Sequence, residues 1–444
     1  MFFFCFVVFF VNYTATTLIY PLSLLDALPI FVIGAGPAGM MAAGQAALHG
    51  ARVLLAEKTN AAGKKLAITG QKRCNLTNAI ELPAFLDHFG RNGHFLRQAF
   101  HQFFRTELLD FFATLGVETE TERGGRIFPS NGDAAFVTEK LLDWARAAGT
   151  ELRTGMAVKE ILAENGVVRG IRSAEGETLT CRAVVLCAGG ATYTGTGSSG
   201  DGYAMAQALG HSITRLRPAL VPMKTADRTA QEMQGLPLRN IRMRVLFDGQ
   251  TAIDAFGELL FTHFGISGPI VLTHSGEMVD ALREGKAVTV VIDLKPALDE
   301  SKLDARLLRE LDMGGKQYLR TMLKELLPQK MIAVCCDACG IPFDKPCHQV
   351  TAAERKTLVR WMKGLTLTVS GPLSMESGMV TMGGVTLDEI DPRTMMSKKV
   401  GGLYFAGEVM DLAADTGGFN LQAAFSTGWV AGRKAGENRL SKTV

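Results

Sequence analysis

Short apolar runs close to glycines mark the beginning of a regular fold. Ile30–Ile33 is entirely apolar, Arg52–Ala56 is mostly apolar, and the alanine-rich stretch from Met40 to His49 between them is compatible with a helix. Short continuous apolar runs are typical of strands that are buried on both faces of a parallel sheet. The pattern therefore predicts a strand–helix–strand unit that begins at Ile30.

Comparable patterns recur along the rest of the chain. Ala183–Cys187 and Leu403–Ala406 predict two more buried strands of the same sheet. Between them the patterns predict an insertion that contains strands at Arg239–Phe247, Thr251–Phe261 and Ala287–Leu294 and helices at Ser301–Leu327 and Ala352–Met362. We expect an α/β fold in which a doubly wound, Rossmann-like domain occupies residues 30–217, is interrupted by an insert domain at residues 218–373, and is completed by residues 374–444.

The first predicted strand leads directly into a glycine-rich turn of the form G-x-G-x-x-G, at Gly34-Ala35-Gly36-Pro37-Ala38-Gly39. In a dinucleotide fold the first glycine permits the tight turn, the second lets the backbone approach a pyrophosphate, and the third allows close helix–strand packing. Glu57 ends the second strand, 18 residues after Gly39, where a carboxylate can accept hydrogen bonds from ribose hydroxyls. The combination predicts a dinucleotide site.

A second match to the same spacing lies at residues 195–200, Gly195-Thr196-Gly197-Ser198-Ser199-Gly200. Its glycines do not directly follow the strand Ala183–Cys187. The nicotinamide-binding pattern also requires an acidic residue about 20 residues further on, and none occurs there. We therefore interpret the segment as a glycine-rich loop and expect no separate nicotinamide domain.

Charge and cysteine content narrow the possible functions. The 47 basic and 44 acidic side chains of the 444 residues give a net charge of +3, which argues against nucleic-acid binding as the main purpose. The eight cysteines in so long a chain do not form a disulfide scaffold and suit a reducing compartment, so a cytoplasmic location is expected. Cys336-x-x-Cys339 with Cys347-His348 resembles a zinc spacing but lacks a second tight pair, and no metal is expected.

The first 29 residues are unlike the rest of the chain. Met1–Val11 is apolar but shorter than the roughly 20 residues that span a bilayer, and it lacks the positive start of a signal peptide. The phenylalanine run and Tyr20–Ile30 resemble the translation of a poly-T tract and a sequencing adapter. An artefact is our main interpretation, while a membrane anchor and a native extension are the alternatives; we expect no other membrane segment.

Several sequence blocks together resemble a known family. They include Thr69-Gly70-Gln71-Lys72-Arg73-Cys74-Asn75-Leu76-Thr77-Asn78, Gly125-Arg126-Ile127-Phe128-Pro129, Gly197-Ser198-Ser199-Gly200-Asp201-Gly202-Tyr203, Leu260-Phe261-Thr262-His263-Phe264-Gly265, Val380-Thr381-Met382-Gly383-Gly384-Val385 and Gly402-Leu403-Tyr404-Phe405-Ala406-Gly407-Glu408-Val409. From residue 31 to 433 the chain resembles bacterial NAD(P)/FAD-dependent oxidoreductases of the BaiN type, whose members are likened to bile-acid enone reductases and aminoacetone oxidases. Lys72 departs from the family, which usually has glycine there.

The resemblance implies a β-barrel plus helical insert and a non-covalently bound FAD. It places Lys65, Thr69, Arg73 and Asn75 along the flavin and its phosphates, the backbone of Val158 against the adenine, and Glu408 near the ribityl or phosphate region. The residues expected to contact FAD are Gly34, Gly36, Pro37, Ala38, Gly39, Glu57, Lys58, Lys65, Thr69, Arg73, Cys74, Asn75, Val158, Gly189, Gly190, Gly407, Glu408, Gly418, Asn420 and Leu421.

Three functions are consistent with the sequence. The first is an NAD(P)H-dependent reductase that passes hydride through flavin N5 to an enone-like or other small acceptor. The second is an oxidase of a small amine that uses oxygen, and the third, which the charge argues against, is a flavin-dependent RNA-modifying enzyme. We expect a small-molecule substrate between the flavin and the insert, with His263, Tyr193 and Arg126 as candidates to orient or protonate it. The oligomeric state is open.

Overall fold

The computed structural model describes residues 28–438 and contains two compact units. The first unit is formed by the residues up to Leu216 together with those from Val380 onwards, and the second by Arg217–Met379. The interpretation of residues 1–29 as foreign falls on residues 1–27, which lie outside the described range, and on the two residues that precede the first strand.

The elements follow one another in an alternating order. The strands are β1 (Ile30–Ile33), β2 (Val53–Glu57), β3 (Thr77–Asn78), β4 (Thr119–Thr121), β5 (Arg126–Pro129), β6 (Thr150–Thr154), β7 (Val158–Glu164), β8 (Val167–Ser173), β9 (Thr178–Thr180), β10 (Ala183–Leu186), β11 (Arg217–Ala219), β12 (Met223–Thr225), β13 (Pro237–Phe247), β14 (Gln250–Thr262), β15 (Gly265–Ser267), β16 (Val288–Asp293), β17 (Leu365–Pro372), β18 (Val380–Met382) and β19 (Leu403–Phe405). The longer helices are α1 (Pro37–Leu48), α2 (Gly93–Phe100), α3 (Arg105–Thr114), α4 (Ala134–Ala147), α5 (Asp201–Ala208), α6 (Pro269–Arg283), α7 (Glu300–Gly314), α8 (Gln329–Cys339), α9 (Ala352–Lys363) and α10 (Phe419–Glu437). Shorter helical turns include Thr69–Lys72, Leu82–Asp87, Thr229–Glu232 and Leu319–Met322.

The first unit is built on a parallel sheet with the strand order β19-β10-β1-β2-β6. The central strand β1 pairs with β2 on one side and with β10 on the other, and every residue from Ile30 to Ile33 is buried. A strand that is covered on both faces must be apolar throughout, which explains its sequence. The predicted Rossmann-like sheet is therefore confirmed, and β10 and β19 join it as expected from their apolar runs.

Helices α1 and α10 pack against each other with their backbones in close approach. A β-carbon at Gly428 or Gly432 would overlap the carbonyl oxygen of Ala38 or Ala42, and one at Gly436 would lie 3.1 Å from the oxygen of Ala46. These glycines recur every fourth residue, so they form one stripe along α10. The stripe brings the start of α10 to the start of α1, where the dinucleotide turn lies.

The second unit contains a closed antiparallel barrel with the order β12-β15-β14-β13-β16-β17. Along β13 the buried residues Ile241, Met243 and Val245 alternate with exposed ones, which include Arg242 and Arg244. Arg242 pairs across the ladder with Asp254, its Nη2 lying 2.6 Å from Oδ2. The α/β fold with a barrel and helical insert, which the family resemblance implied, is confirmed.

The predicted helix Ser301–Leu327 is wrong in its extent. Helix α7 ends at Gly314, and Gly315 follows with a left-handed φ of 50°, after which a separate turn begins at Leu319. Gly314 also packs where a β-carbon would lie 2.9 Å from Cys347 Sγ. Two consecutive glycines thus stop a helix that the apolar periodicity alone would continue. Within residues 28–438 no helix is both long enough and apolar enough to cross a bilayer.

Candidate functional site

The three glycines of the turn between β1 and α1 have different surroundings. A β-carbon at Gly34 would lie 2.5 Å from the carbonyl oxygen of Cys187, and one at Gly39 would overlap the oxygen of Gly34. Gly36, whose φ is an ordinary −78°, has no atom of the described residues within 4 Å of that position, apart from its own neighbours along the chain. Packing within the chain therefore requires Gly34 and Gly39 but leaves open space beside Gly36.

The start of α1 carries backbone donors and no negative charge. Gly36 is the N-cap, no side chain caps the helix, and the first turn contains no acidic residue. The first N–H groups of a helix lack partners within it and, together with the helix dipole, attract phosphate groups. Pro37 gives up its N–H at a position where no helical bond is lost, so the donors of Ala38 and Gly39 come next.

Glu57 holds the other edge of this turn. One carboxylate oxygen accepts a hydrogen bond from the N–H of Ala35 at 2.9 Å, and the other accepts from the N–H of Thr59 at 2.8 Å. These bonds fix the carboxylate at the carboxyl end of β2, beside the glycine turn. The open space at Gly36, the uncapped helix and the fixed carboxylate fit the pyrophosphate and ribose of a dinucleotide such as FAD.

Lys58 is engaged by protein groups, and its expected contact with FAD stays a prediction. Its Nζ lies 2.5 Å from Asp201 Oδ2 at the start of α5 and also contacts the hydroxyl of Ser199. A β-carbon at Gly197 would lie 2.9 Å from Thr59 Cγ2 and 3.8 Å from Glu57 Oε1. The second glycine motif therefore forms a loop against the end of β2 within the first unit, which agrees with its interpretation as a loop. Asp201 and Ser199 were not among the predicted site residues.

A polar network joins Lys65 to Glu408. Lys65 Nζ lies 2.9 Å from Glu408 Oε2 and 3.3 Å from the hydroxyl of Thr192. The other Glu408 oxygen accepts from the backbone N–H of Thr381 at 2.7 Å, and Thr381 Oγ1 accepts from the N–H of Ala191 at 2.8 Å. The structure thus brings together Lys65 and Glu408, 343 residues apart in sequence.

The predicted glycines near this network are tightly packed. A β-carbon at Gly190 would lie 2.8 Å from Glu408 Oε1, one at Gly189 would lie 3.3 Å from Ser198 Oγ, and one at Gly407 would lie 2.9 Å from Ala38 Cβ. Glycine is required here for close approach between loops. Thr192 and Thr381 were missed by the sequence analysis, although Thr381 stands in one of the blocks that carry the family resemblance.

The start of α10 is tied to strand β3. The Asn75 amide, in the orientation that satisfies its partners, accepts from the N–H of Gly418 at 3.0 Å and donates to the oxygens of Thr77 and Ile127. The Asn78 amide donates to the oxygen of Gly417 at 3.0 Å. Helix α10 has neither a capping side chain nor an acidic residue in its first turn, so its remaining N–H groups are suited to an electron-rich partner.

Two residues that are predicted to contact FAD, Thr69 in the Thr69–Lys72 turn and Cys74 just after it, have partners within the protein. Thr69 Oγ1 donates to the oxygen of Leu66 at 2.7 Å. Burial raises the pKa of Cys74 to about 12, although a hydrogen bond with Thr69 opposes it, so this fully buried thiol stays protonated at neutral pH. Lys72 adopts a left-handed φ of 70°, which explains why glycine suits this position.

Arg73 is engaged by protein groups. Its guanidinium forms an ion pair with Glu122 and lies 4.3 Å above the centre of the Phe128 ring. Arg126, one of the three catalytic candidates, joins the same group, with its Nη2 3.8 Å from Glu122 Oε2. The expected Arg73 contact with FAD phosphates stays a prediction.

The remaining predicted residues are found in varied settings. Val158 opens β7 with its side chain buried, opposite Ser173 of β8. The Asn420 side chain accepts from the N–H of Ala414 and donates to the oxygen of Ala414, and its expected contact with FAD stays a prediction. Leu421 packs against the hydrophobic core.

The other two catalytic candidates lie in different units. Tyr193, 38% exposed with a left-handed φ of 55°, precedes the turn Thr194–Thr196 in the first unit. His263 belongs to the second unit, where its ring packs edge-on against Phe264 at 4.9 Å. Across residues 28–438, no group of three or more histidine, cysteine and acidic side chains is arranged to hold a metal ion.

Comparison with known proteins now identifies the family. The family model described as HI0933-like protein Rossmann domain matches residues 28–434. The chain belongs to the HI0933-like family. The predicted resemblance and the assignment as an FAD-dependent oxidoreductase are thereby confirmed.

The chain matches two curated relatives over nearly their whole length. The 3-dehydro-bile acid delta(4,6)-reductase of Clostridium scindens is 33% identical over 92% of this chain and 99% of its own length. The ribosomal RNA dihydrouridine synthase of Escherichia coli is 30% identical over 90% of this chain and 95% of its own.

Solved structures show the same fold at low sequence identity. The 3-ketosteroid delta1-dehydrogenase of Sterolibacterium denitrificans has a TM-score of 0.52 and 14% identity, with coverage of 93% of this chain and 99% of that one. A flavocytochrome c3 fumarate reductase has a TM-score of 0.51 and 18% identity, with coverage of 93% and 79%.

Proposed function

We propose that the protein uses FAD to reduce a carbon–carbon double bond conjugated to a carbonyl group in a small organic acceptor, with NADH or NADPH as electron donor. The observation that carries the proposal is the 33% identity to the bile-acid reductase over 99% of its length. The dinucleotide cradle at Gly36 and Glu57 supports the cofactor.

The reactions that the names of both relatives describe support this reaction class. A delta(4,6)-reductase of a 3-dehydro bile acid reduces a double bond conjugated to a ketone, and dihydrouridine arises by saturating the conjugated double bond of uracil. Saturation of such a conjugated bond places a hydride on the carbon β to the carbonyl group and a proton on the carbon α to it. The negative charge that develops meanwhile lies on the carbonyl oxygen, where a hydrogen-bond donor lowers the barrier.

The chain's own groups would bind the cofactor, orient the substrate and donate hydrogen bonds to it. FAD, when bound, supplies hydride transfer at N5. The N–H groups at the start of α10 are suited to the flavin's electron-rich pyrimidine edge, and Lys65 with Glu408 to its ribityl or phosphate region. Tyr193 of the first unit is the proposed hydrogen-bond donor to the carbonyl oxygen of the substrate, with His263 as the alternative.

Anaerobic turnover tests the proposal. FAD-loaded protein is mixed with NADH or NADPH and a 4-ene-3-oxo steroid acid, and the product is examined by mass spectrometry. We expect product that has gained two hydrogen atoms, with one nicotinamide cofactor oxidised per product. Flavin that is bleached by aminoacetone and yields peroxide on aeration, with no steroid reduction, would instead establish the oxidase alternative.

A uracil base in ribosomal RNA is a second candidate acceptor. The 30% identity to the dihydrouridine synthase over 95% of its length favours it, while the net charge of +3 argues against it. Reduction of ribosomal RNA, but not of the steroid, under the same conditions would select this acceptor. Retention of RNA at low salt is the accompanying binding test.

A further inference from the structure

Two arginines share one carboxylate on the small sheet of the first unit. Arg73 pairs with Glu122 Oε1, and Arg126 Nη2 lies 3.8 Å from Glu122 Oε2. Both guanidiniums face the same aromatic ring, at 4.3 and 5.8 Å from the centre of Phe128. The ring and the carboxylate hold two planar cations side by side.

The two guanidiniums have more hydrogen-bond donors than Glu122 can satisfy, so they can bind a further anion. Within residues 28–438, Glu122 is the carboxylate that both guanidiniums contact, and Glu120 acts on Arg73 only through longer-range attraction. The side chains of Arg73 and Arg126 are 42% and 48% exposed, so their outer N–H groups face solvent. A guanidinium has five donors and binds carboxylate and phosphate in a bidentate manner, which one shared carboxylate does not exhaust.

Stability does not explain why the two arginines are held together. Exposed ion pairs contribute only about 0–1 kcal/mol, because solvent screens them and the side chains lose freedom. Stacking on Phe128 restricts both arginines further and keeps two like charges close. Such pre-organisation is useful where a carboxylate or a phosphate has to be recognised.

The arginine pair lies beside the start of α10. Arg126 is opposite Asn78 in the β3–β5 ladder, and the Asn78 amide donates to the oxygen of Gly417. Asn75 accepts a hydrogen bond from the N–H of Gly418, the N-cap residue of α10. The pair therefore flanks the helix end that we assign to the pyrimidine edge of the flavin.

We propose that Arg73 and Arg126 bind an anionic group of the substrate, either a carboxylate or a phosphate, and that Glu122 holds them in position and competes with that anion. The inference rests on the proposed function and specifies its substrate class as an acidic acceptor. It assigns Arg73 to the substrate, as an alternative to the contact with the FAD phosphates that the family resemblance implies. Arg126 determines specificity by anchoring the remote acidic end of the acceptor, a different role from protonating its carbonyl.

Matched pairs of acidic and neutral ligands test the inference on FAD-loaded protein. The steroid pair is a 4-ene-3-oxo steroid carboxylic acid and its methyl ester, and the nucleotide pair is uridine 5′-monophosphate and uridine. Binding is followed by the perturbation of flavin absorbance without a nicotinamide donor. The native protein should bind one acid roughly tenfold or more tightly than its neutral partner, and the preferred pair identifies carboxylate or phosphate.

Variants separate the anion site from a structural role. Arg126→Gln should abolish the preference for the acid and raise the KM for the acid without lowering kcat. Arg126→Lys, which keeps the positive charge, should restore part of the preference. Glu122→Gln should tighten binding of the acid, because it removes the competing carboxylate. Arg172→Gln is the control, because Arg172 pairs with Glu160 at 2.7 Å on the exposed face of another sheet in the same unit. A preference that survives in both Arg126→Gln and Arg73→Gln, or a native protein without preference, overturns the inference.

An independent readout separates this inference from the proposed reaction. Phenylglyoxal modifies exposed arginines, and mass spectrometry locates the modified residues. Inorganic phosphate should slow modification of Arg73 and Arg126 but not of Arg172. Protection without any enone reduction would refute the proposed function and support the anion site, whereas turnover without protection or charge preference would refute the anion site alone.

Discussion

The turn after β1 contains three glycines, and Gly36 is the one that has free space where a β-carbon would stand. We expect Gly36→Val to fold with a thermal midpoint close to that of the native apoprotein but to bind FAD at least ~10-fold more weakly, because the side chain occupies the space for the pyrophosphate. Isothermal titration with FAD and a thermal melt measure the two effects. Gly195→Ala, also in open space, is the control; native FAD affinity in Gly36→Val would contradict this account of the cradle.

Lys72 carries a cost in backbone conformation that glycine would remove. A residue with a β-carbon in the left-handed region is destabilised by about 1–2 kcal/mol, and the greater freedom of glycine in the unfolded chain offsets part of this gain. We therefore expect Lys72→Gly to raise the free energy of unfolding by about 0.5 kcal/mol. Denaturant unfolding measures it, and Lys72→Ala, which keeps the β-carbon, should give no such gain. A lower free energy of unfolding in Lys72→Gly than in the native protein would refute the idea that the left-handed backbone at Lys72 is strained.

His211 is buried in a charged network within the first unit. Its Nδ1 lies 3.1 Å from Glu389 Oε2 and its Nε2 lies 2.9 Å from Ser397 Oγ. Burial lowers the pKa of His211 below 6.5, although Glu389 opposes this, and Lys399 contributes to the lowering. Burial disfavours the Glu389 carboxylate, yet hydrogen bonds from Lys399 and Ser212 lower its pKa to about 2.

These shifts predict two separate losses of stability on acidification. The lowered pKa of His211 stabilises the fold at pH above 6.5, and this contribution is lost as the pH falls below the unfolded value. The contribution of Glu389 is lost further down, between 4.5 and about 2. We expect His211→Gln to remove the loss of stability that begins as the pH falls below 6.5, while the loss due to Glu389 persists. Chemical denaturation at a series of pH values measures the free energy of unfolding. A variant whose free energy of unfolding falls with pH near neutrality as steeply as that of the native protein would contradict this assignment.

At the scale of elements, the contact between α1 and α10 depends on the absence of side chains. A β-carbon at Gly432 would overlap the carbonyl oxygen of Ala42, so the helices would have to separate. We expect Gly432→Ala to destabilise the protein by about 1–3 kcal/mol and to weaken FAD binding, because both helix starts adjoin the cofactor turn. Thermal melts of apoprotein and FAD-loaded protein measure it. Ala431→Gly, on the same helix, should lower stability without weakening FAD binding in the folded protein.

The elements differ in how well the sequence predicts them. The buried strands at Ile30–Ile33 and Ala183–Leu186 are visible as apolar runs because both faces are covered. The break of the long predicted helix at Gly314 and Gly315 is less visible, because apolar periodicity continues across it. Boundaries of this kind depend on local backbone conformation and on a contact with Cys347 that periodicity does not contain.

At the scale of the whole molecule, local motifs predicted the half of the site that is contiguous in sequence. Gly34–Gly39 and Glu57 belong to one strand–helix–strand unit, so their spacing is enough to place them together. The partners of Lys65 come from distant parts of the chain, and neither Thr192 nor Thr381 stands in a motif whose spacing predicts a contact with Lys65 or Glu408. The ion pair of Lys58 with Asp201 likewise arises from the packing of a loop that the sequence left unplaced.

The central claim is that electrons pass from a nicotinamide cofactor through FAD to a conjugated double bond. An anaerobic stopped-flow experiment tests it most directly, by reducing the FAD-loaded protein with one equivalent of NADPH or NADH and then mixing it with a 4-ene-3-oxo steroid acid. We predict bleaching of the flavin in the first step and return of its absorbance in the second, at a rate that rises with steroid concentration. A flavin that neither nicotinamide reduces, or that stays bleached with the steroid and with uracil-containing ribosomal RNA, would contradict the account.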